Sequence, residues 1–73
     1  MKCITVQTIN GDEWVIHQTY DAATRELVHE KLLVSPGTCP HAAIRRAEEI
    51  ADDCGDVFLS SPHEITCWLR DHF

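Results

Sequence analysis

Cysteine and histidine side chains, which can bind a metal ion, are frequent in the second half of this sequence. The candidate ligands are Cys39, His41, Cys54, His63, Cys67 and His72. His63 and Cys67 are four residues apart, so on a helix they project from one face and could share a zinc ion. Structural zinc sites usually contain paired Cys-x-x-Cys motifs, and this sequence has none. We therefore expect no metal site and no cofactor, and a small zinc-binding module is kept only as an alternative.

Cys39 is the strongest candidate for a catalytic nucleophile. It precedes the start of a predicted helix, where the helix dipole favours negative charge, and His41 is close in sequence. A catalytic pair also needs an orienting group and a cleft, and a chain of 73 residues has little room for one. No glycine-rich phosphate-binding loop is present. The sequence therefore predicts a protein that is not an enzyme.

An acidic cluster within nine residues is the most informative surface feature. Its members are Glu48, Glu49, Asp52, Asp53 and Asp56. Carboxylates near a helix C-terminus oppose the helix dipole, at a cost of roughly a few tenths of a kcal/mol each. We expect these residues to bind an Arg/Lys-rich surface of a partner protein, and a merely solvated helix face is the alternative.

The segment 35–55, which contains these acids, has the clearest helical pattern. Pro36-Gly37 turns the chain, Thr38 or Cys39 can cap the helix, and Gly55 can end it in the left-handed conformation. Apolar residues at helical spacing predict the buried stripe, which comprises Ala43, Ile44, Ala47, Ile50, Ala51 and Cys54.

Apolar and polar side chains alternate over residues 3–9 and 13–20, which is typical of strands. Asn10-Gly11 between them is a strong hairpin signal. A two-residue loop would pair Val6 with Val15. A loop that includes Asp12 would pair Val6 with Ile16 instead. We favour the longer loop, because it gives one apolar inner face composed of Ile4, Val6, Trp14 and Ile16.

The segment 20–35 is compatible with two structures. Asp21 could cap a helix, or it could bond its own backbone in a turn that precedes a third strand, Leu27–Val34. We favour the strand, with Val28, Leu32 and Val34 facing inward, because three strands can cover a helix and two are marginal.

The C-terminal part predicts a short strand and a last helix. Val57-Phe58-Leu59 suits a buried strand, and the Ser61/Glu64 spacing matches a capping box. Ile65, Trp68, Leu69 and Phe73 then follow at helical spacing, with a fifth strand over 65–69 as the alternative. We predict one α+β domain over residues 1–73, ordered β-β-β-α-β-α, in which a three-stranded antiparallel sheet packs against the central helix.

Composition limits the classes of partner. Twelve acidic against six basic residues give a net charge of −6, which argues against direct nucleic-acid binding. No apolar run approaches the ~20 residues of a membrane span, and the N-terminus does not resemble a signal peptide. We expect a cytoplasmic protein with four reduced cysteines.

Trp68 and Phe73 are candidates for a homodimer or docking interface, because aromatic side chains are enriched at interfaces.

The layout resembles that of small phage-encoded anti-CRISPR inhibitors of type I systems. The corresponding parts are a hairpin and third strand, Ser35-Pro36-Gly37, the Ala-rich helix 42–54 and the strand 57–59. This resemblance implies stoichiometric inhibition of a crRNA-guided surveillance complex, and it carries over no individual functional residue. We therefore expect a non-enzymatic acidic protein that occludes a basic surface. The alternative is an ancillary domain that docks through its aromatic C-terminal end.

Overall fold

The computed structural model describes residues 1–71, which form a four-stranded sheet with a helix on each face. The strands occur in the order β3-β2-β1-β4, with β1–β2 and β2–β3 antiparallel and β4 parallel to β1. The elements are β1 (Lys2–Ile9), β2 (Asp12–Tyr20), β3 (Leu27–Gly37), α1 (Pro40–Cys54), β4 (Val57–Phe58) and α2 (Pro62–Asp71). The predicted α+β layout is confirmed, and the short strand joins the sheet as its fourth strand.

The β1–β2 hairpin has the two-residue loop, so the favoured three-residue register is wrong. Val6 pairs with Val15, and Asn10 and Gly11 both have positive φ, at 52° and 85°. This turn matches the twist of paired strands, and both Asn and Gly tolerate positive φ. Trp14 consequently lies opposite Gln7, and Ile16 lies opposite Thr5 rather than Val6.

The prediction failed because it assumed that only one face of the sheet is covered. On one face, Ile4 and Val15 pack against Ala47 and Ala51 of α1, with Phe58 at the margin. The other face carries Cys3, Thr5, Ile16 and Gln18, all of them buried. On that side, the ring of Trp68 in α2 packs edge-on against Tyr20, with centroids 6.2 Å apart. Apolar side chains are therefore needed on both faces.

The turn before β3 confirms the strand interpretation of this segment. One Asp21 carboxylate oxygen accepts hydrogen bonds from the backbone N–H groups of Ala23 and Thr24, at 2.7 and 3.0 Å. The Thr24 and Ala23 N–H groups hold the pKa of the Asp21 carboxyl below its ordinary value. Arg25 completes the turn with φ at 63°.

The predicted inward set of β3 is only partly correct. Val28 and Leu32 are 61% and 47% exposed, whereas Leu33 and Val34 pack against the core cluster. The reason is a β-bulge: Ile16 pairs with Leu32 and Val15 pairs with Val34, so Leu33 is an extra residue. The strand also continues through Pro36 to Gly37, past the predicted turn.

Helix α1 follows its predicted pattern with one exception. Ala43, Ala47 and Ala51 are buried, and Gly55 ends the helix at φ 78° with its N–H bonded to the Ala51 carbonyl. Alanine at every fourth position brings the helix close to the sheet. Cys54, which was expected in the buried stripe, is exposed.

The start of α2 confirms the Ser61 half of the predicted capping box, whereas the Glu64 carboxylate bonds Ser60 rather than the cap residue. The Ser61 hydroxyl accepts from the Glu64 N–H at 3.3 Å, while the Glu64 carboxylate accepts from the Ser60 N–H at 2.6 Å. The Ser61 contact satisfies a backbone donor that the first turn of a helix leaves unpaired, and the Glu64 contact ties that turn to the residue before the cap. The alternative of a fifth strand over 65–69 is wrong.

Replacing Val15, which is fully buried, with alanine should lower the free energy of unfolding by about 2 kcal/mol. The matched control is Val28→Ala, which makes the same change at an exposed position of a strand. Urea unfolding monitored by circular dichroism measures both changes. Equal destabilisation by the two substitutions would contradict the assignment of Val15 to the core.

Candidate functional site

Four carboxylates project into solvent from the last two turns of α1, and we call this surface the acidic face. Its residues are Glu48, Glu49, Asp52 and Asp53, all exposed. Ala47 and Ala51, in the same two turns, are buried against the sheet. Burial of the alanine side of α1 therefore determines the direction in which the acids point.

One salt bridge partly neutralises the acidic face. The guanidinium of Arg46 lies 3.1 Å from the carboxylate of Glu49. Among residues 1–71, Glu48, Asp52 and Asp53 form no ion pair. The last turn of α1 also contains no basic residue. Three adjacent carboxylates are therefore free to interact with an external cation.

Asp56, the fifth member of the predicted acidic cluster, has a different environment. It follows the helix cap, and its carboxylate lies 2.8 Å from Nε2 of His17 on β2. The two side chains are only 25% and 22% exposed, respectively. The structure therefore separates Asp56 from the acidic face, because its carboxylate already has a partner within the domain.

The His17–Asp56 pair lies in an open cleft of about 300 Å³. The cleft is lined by Ile4, His17, Lys31, Leu33, Ile50, Cys54 and Asp56. The Cys54 thiol donates to the Asp56 carboxylate at 3.6 Å, and Nε2 of His17 contacts the same oxygen. The carboxylate thus lies between the thiol and the imidazole. In this arrangement the Cys54 thiol does not contact the His17 imidazole, and nucleophilic catalysis by a cysteine requires such a contact.

Cys39 and Cys3 also do not form a nucleophile–base pair with a histidine among the described residues. Cys39 is the N-cap residue of α1 and makes no side-chain capping hydrogen bond. Within residues 1–71, Cys39 and His41 make no side-chain hydrogen bond to each other. Cys3 is buried, and this burial, together with the Asp56 charge, raises the pKa of its thiol to about 11. The Cys3 thiol is therefore protonated and inert at neutral pH.

The predicted docking interface at the aromatic C-terminal end consists of Trp68 and Phe73. Trp68 is half-buried, and its ring packs edge-on against Tyr20, so it contributes to the domain itself. Phe73 lies outside the described residues. Among the predicted surface features, the acidic face is therefore the one that the structure leaves most accessible.

Comparisons with protein-family models, with curated proteins and with solved structures found no significant match for this chain. Within the described part of the chain, no helix combines the length and the apolar character needed to cross a membrane.

Sequence reasoning missed the His17–Asp56 contact. The two residues are 39 positions apart. The favoured register places Ile16 on the inner face, which turns the next residue, His17, to the outer face. With the correct register, His17 lies opposite Ile4 and faces the end of α1. No local pattern links the two side chains, since only the folded sheet brings them together.

A double-mutant cycle of His17→Ala and Asp56→Ala should give a coupling energy of about 1 kcal/mol, because the half-buried pair is partly screened by solvent. Chemical unfolding of the four proteins measures it. His29→Ala serves as the control, since His29 is exposed on β3 and is not bonded to Asp56. Coupling of His29 to Asp56 equal to that of His17 would contradict a specific contact.

Proposed function

We propose that this chain is a non-enzymatic interaction protein whose acidic face binds and occludes a basic surface of a partner protein complex. The observation that carries the proposal is the clustering of Glu48, Glu49, Asp52 and Asp53 on the exposed side of two helical turns. Such a surface is complementary to clustered arginine and lysine side chains.

The positions of these carboxylates are unfavourable for the helix itself. Glu48 and Asp52, like Glu49 and Asp53, are like-charged pairs at i and i+4, each costing roughly 0.2–0.5 kcal/mol. All four residues also lie toward the negative end of the helix dipole. Of these four carboxylates, only that of Glu49 has an ion-pair partner within residues 1–71. A role in binding explains an arrangement that helix stability does not favour.

The charge balance also selects the class of partner. A net charge of −6 repels nucleic-acid phosphates and attracts a basic protein surface, with association accelerated at low salt. The absence of an enzymatic role is part of the proposal. The cleft supports it, because the Asp56 carboxylate lies between the Cys54 thiol and the His17 imidazole.

The resemblance to anti-CRISPR inhibitors suggests a more specific form of this proposal. In this form, the partner is a crRNA-guided surveillance complex, and the acidic face covers the basic channel through which target DNA enters. The protein would then act in the cytoplasm of the host cell. Layout alone supports this form, so it needs a separate test.

Replacing Asp52 and Asp53 with lysine should reduce partner capture by at least about tenfold without unfolding the chain, because the attraction becomes repulsion. The assay is a pull-down from host lysate, quantified over a series of salt concentrations. Capture by the unmodified chain should decrease steeply with ionic strength.

The matched control reverses two exposed acids elsewhere, Asp12 and Glu26, and changes the net charge equally. Equal loss in both variants would indicate a dependence on net charge rather than on the acidic face. If capture depends neither on salt concentration nor on charge reversal, the alternative is favoured, in which the chain docks through its aromatic C-terminal end.

The anti-CRISPR form predicts that the purified chain inhibits target-DNA binding by a crRNA-guided complex at about one copy per binding site. Electrophoretic mobility shift of labelled target DNA measures this inhibition. The Asp52→Lys/Asp53→Lys variant should fail to inhibit, and the Asp12→Lys/Glu26→Lys variant should still inhibit. If the crRNA-guided complex still binds target DNA in the presence of excess purified chain, this partner class is rejected. The pull-down from lysate would still test the broader proposal.

A further inference from the structure

The first two turns of α2 hold an imidazole and a thiol side by side. His63 and Cys67 are at i and i+4, and Nε2 of His63 lies 3.7 Å from Sγ of Cys67. His63 is exposed and Cys67 is half-buried, so an ion in solvent can reach both atoms. We call these two residues the His63–Cys67 pair.

The separation of the two atoms matches the geometry of zinc coordination. Zinc binds thiolate sulfur at about 2.3 Å and imidazole nitrogen at about 2.0–2.1 Å, almost always tetrahedrally in structural sites. Two such ligands on one ion lie about 3.6 Å apart. The His63–Cys67 pair therefore fits one zinc ion with little change of side-chain position.

Arg70 adds a favourable electrostatic contact to the sulfur. Its Nη2 atom lies 3.7 Å from Sγ of Cys67, one turn further along α2. The guanidinium places positive charge beside the sulfur, and zinc binds sulfur as the thiolate. Hydrogen bonds from outside the coordination shell also orient metal ligands. The Arg70 side chain can serve as such a donor when the metal is bound.

Among the described residues of one chain, the His63–Cys67 pair supplies only two of the ligands that a closed site needs. Within the described residues, no group of three or more His, Cys, Asp and Glu side chains is placed to hold a metal ion. Structural zinc sites have four protein ligands. A second molecule can supply the two remaining ligands.

We propose that the His63–Cys67 pairs of two copies of this chain bind one zinc ion, which links the copies into a symmetric dimer. A two-fold axis through the ion turns two ligands per chain into a Cys₂His₂ set, so a second copy meets the requirement with no further residue. Each thiol loses its proton on binding, which releases two protons per zinc ion.

The dimer should depend strictly on the metal. Two copies that each carry a net charge of −6 repel one another, so long-range electrostatics oppose association. The bonds to zinc supply the attraction, and a chelator should therefore reverse the association. The proposal does not rest on the acidic face, although a dimer would present two acidic faces to a partner.

The test is a titration of the metal-free, reduced chain with zinc, followed by analytical ultracentrifugation and by measurement of proton release. We expect the mass to double at one zinc per two chains, with two protons released per ion. Cobalt substituted for zinc should give the charge-transfer absorption of a thiolate-bound tetrahedral ion. Removal of the metal by EDTA should restore the monomer.

Two substitutions locate the site. His63→Ala alters an exposed residue and should keep the fold while abolishing zinc-dependent dimerisation, and Cys67→Ser should act in the same way. The matched control is Cys39→Ser with His41→Ala, which removes another exposed thiol and imidazole and should dimerise normally.

Several results would overturn the proposal. These are a monomer at saturating zinc, one zinc bound per chain without association, and a dimer that survives His63→Ala. A dimer that resists EDTA but is broken by a reductant would be a disulfide, and this result would also exclude the zinc bridge.

Discussion

The two-residue turn at Asn10-Gly11 determines the side of the sheet on which every side chain of β1 and β2 lies. Because side chains alternate along a strand, one additional loop residue would move the whole of β2 to the opposite face. In the observed register, Val15 faces α1 and Ile16 faces the side that α2 covers. The same register turns His17 toward the end of α1, where its imidazole contacts Asp56. The packing of both helices and the contents of the cleft thus follow from this turn.

Helix α1 combines a structural side and a charged side. Ala43, Ala47 and Ala51 let the helix backbone approach the sheet closely, and this approach fixes the rotation of the helix about its axis. Once that rotation is fixed, the acidic face points into solvent. The apolar stripe therefore provides both the core contact and a rigid orientation for the surface charges. A partner that recognises these charges would meet them already positioned, which lowers the entropic cost of binding.

Most of the architecture could be predicted because its signals are local. Gly55 ends α1 since glycine readily adopts positive φ, and the Ser61/Glu64 spacing begins α2 by capping. The errors concern residues whose positions depend on distant neighbours. The orientation of Leu33 and Val34 follows from a bulge opposite Val15, and bulges leave little trace in strand composition. The acidic face was predicted residue by residue, apart from Asp56, whose carboxylate is engaged by a histidine on another strand.

The sequence by itself determined the order of elements, the limits of α1, the start of α2, the excess of negative charge and the proximity of His63 to Cys67. Each of these depends on residues within one or two turns of helix or a short run of chain. Only the tertiary structure decided that both faces of the sheet are covered, that Cys54 lies in an open cleft and that Asp56 bonds to His17. These features arise when segments that are distant in sequence compete to bury apolar surface, and that competition has no local signature.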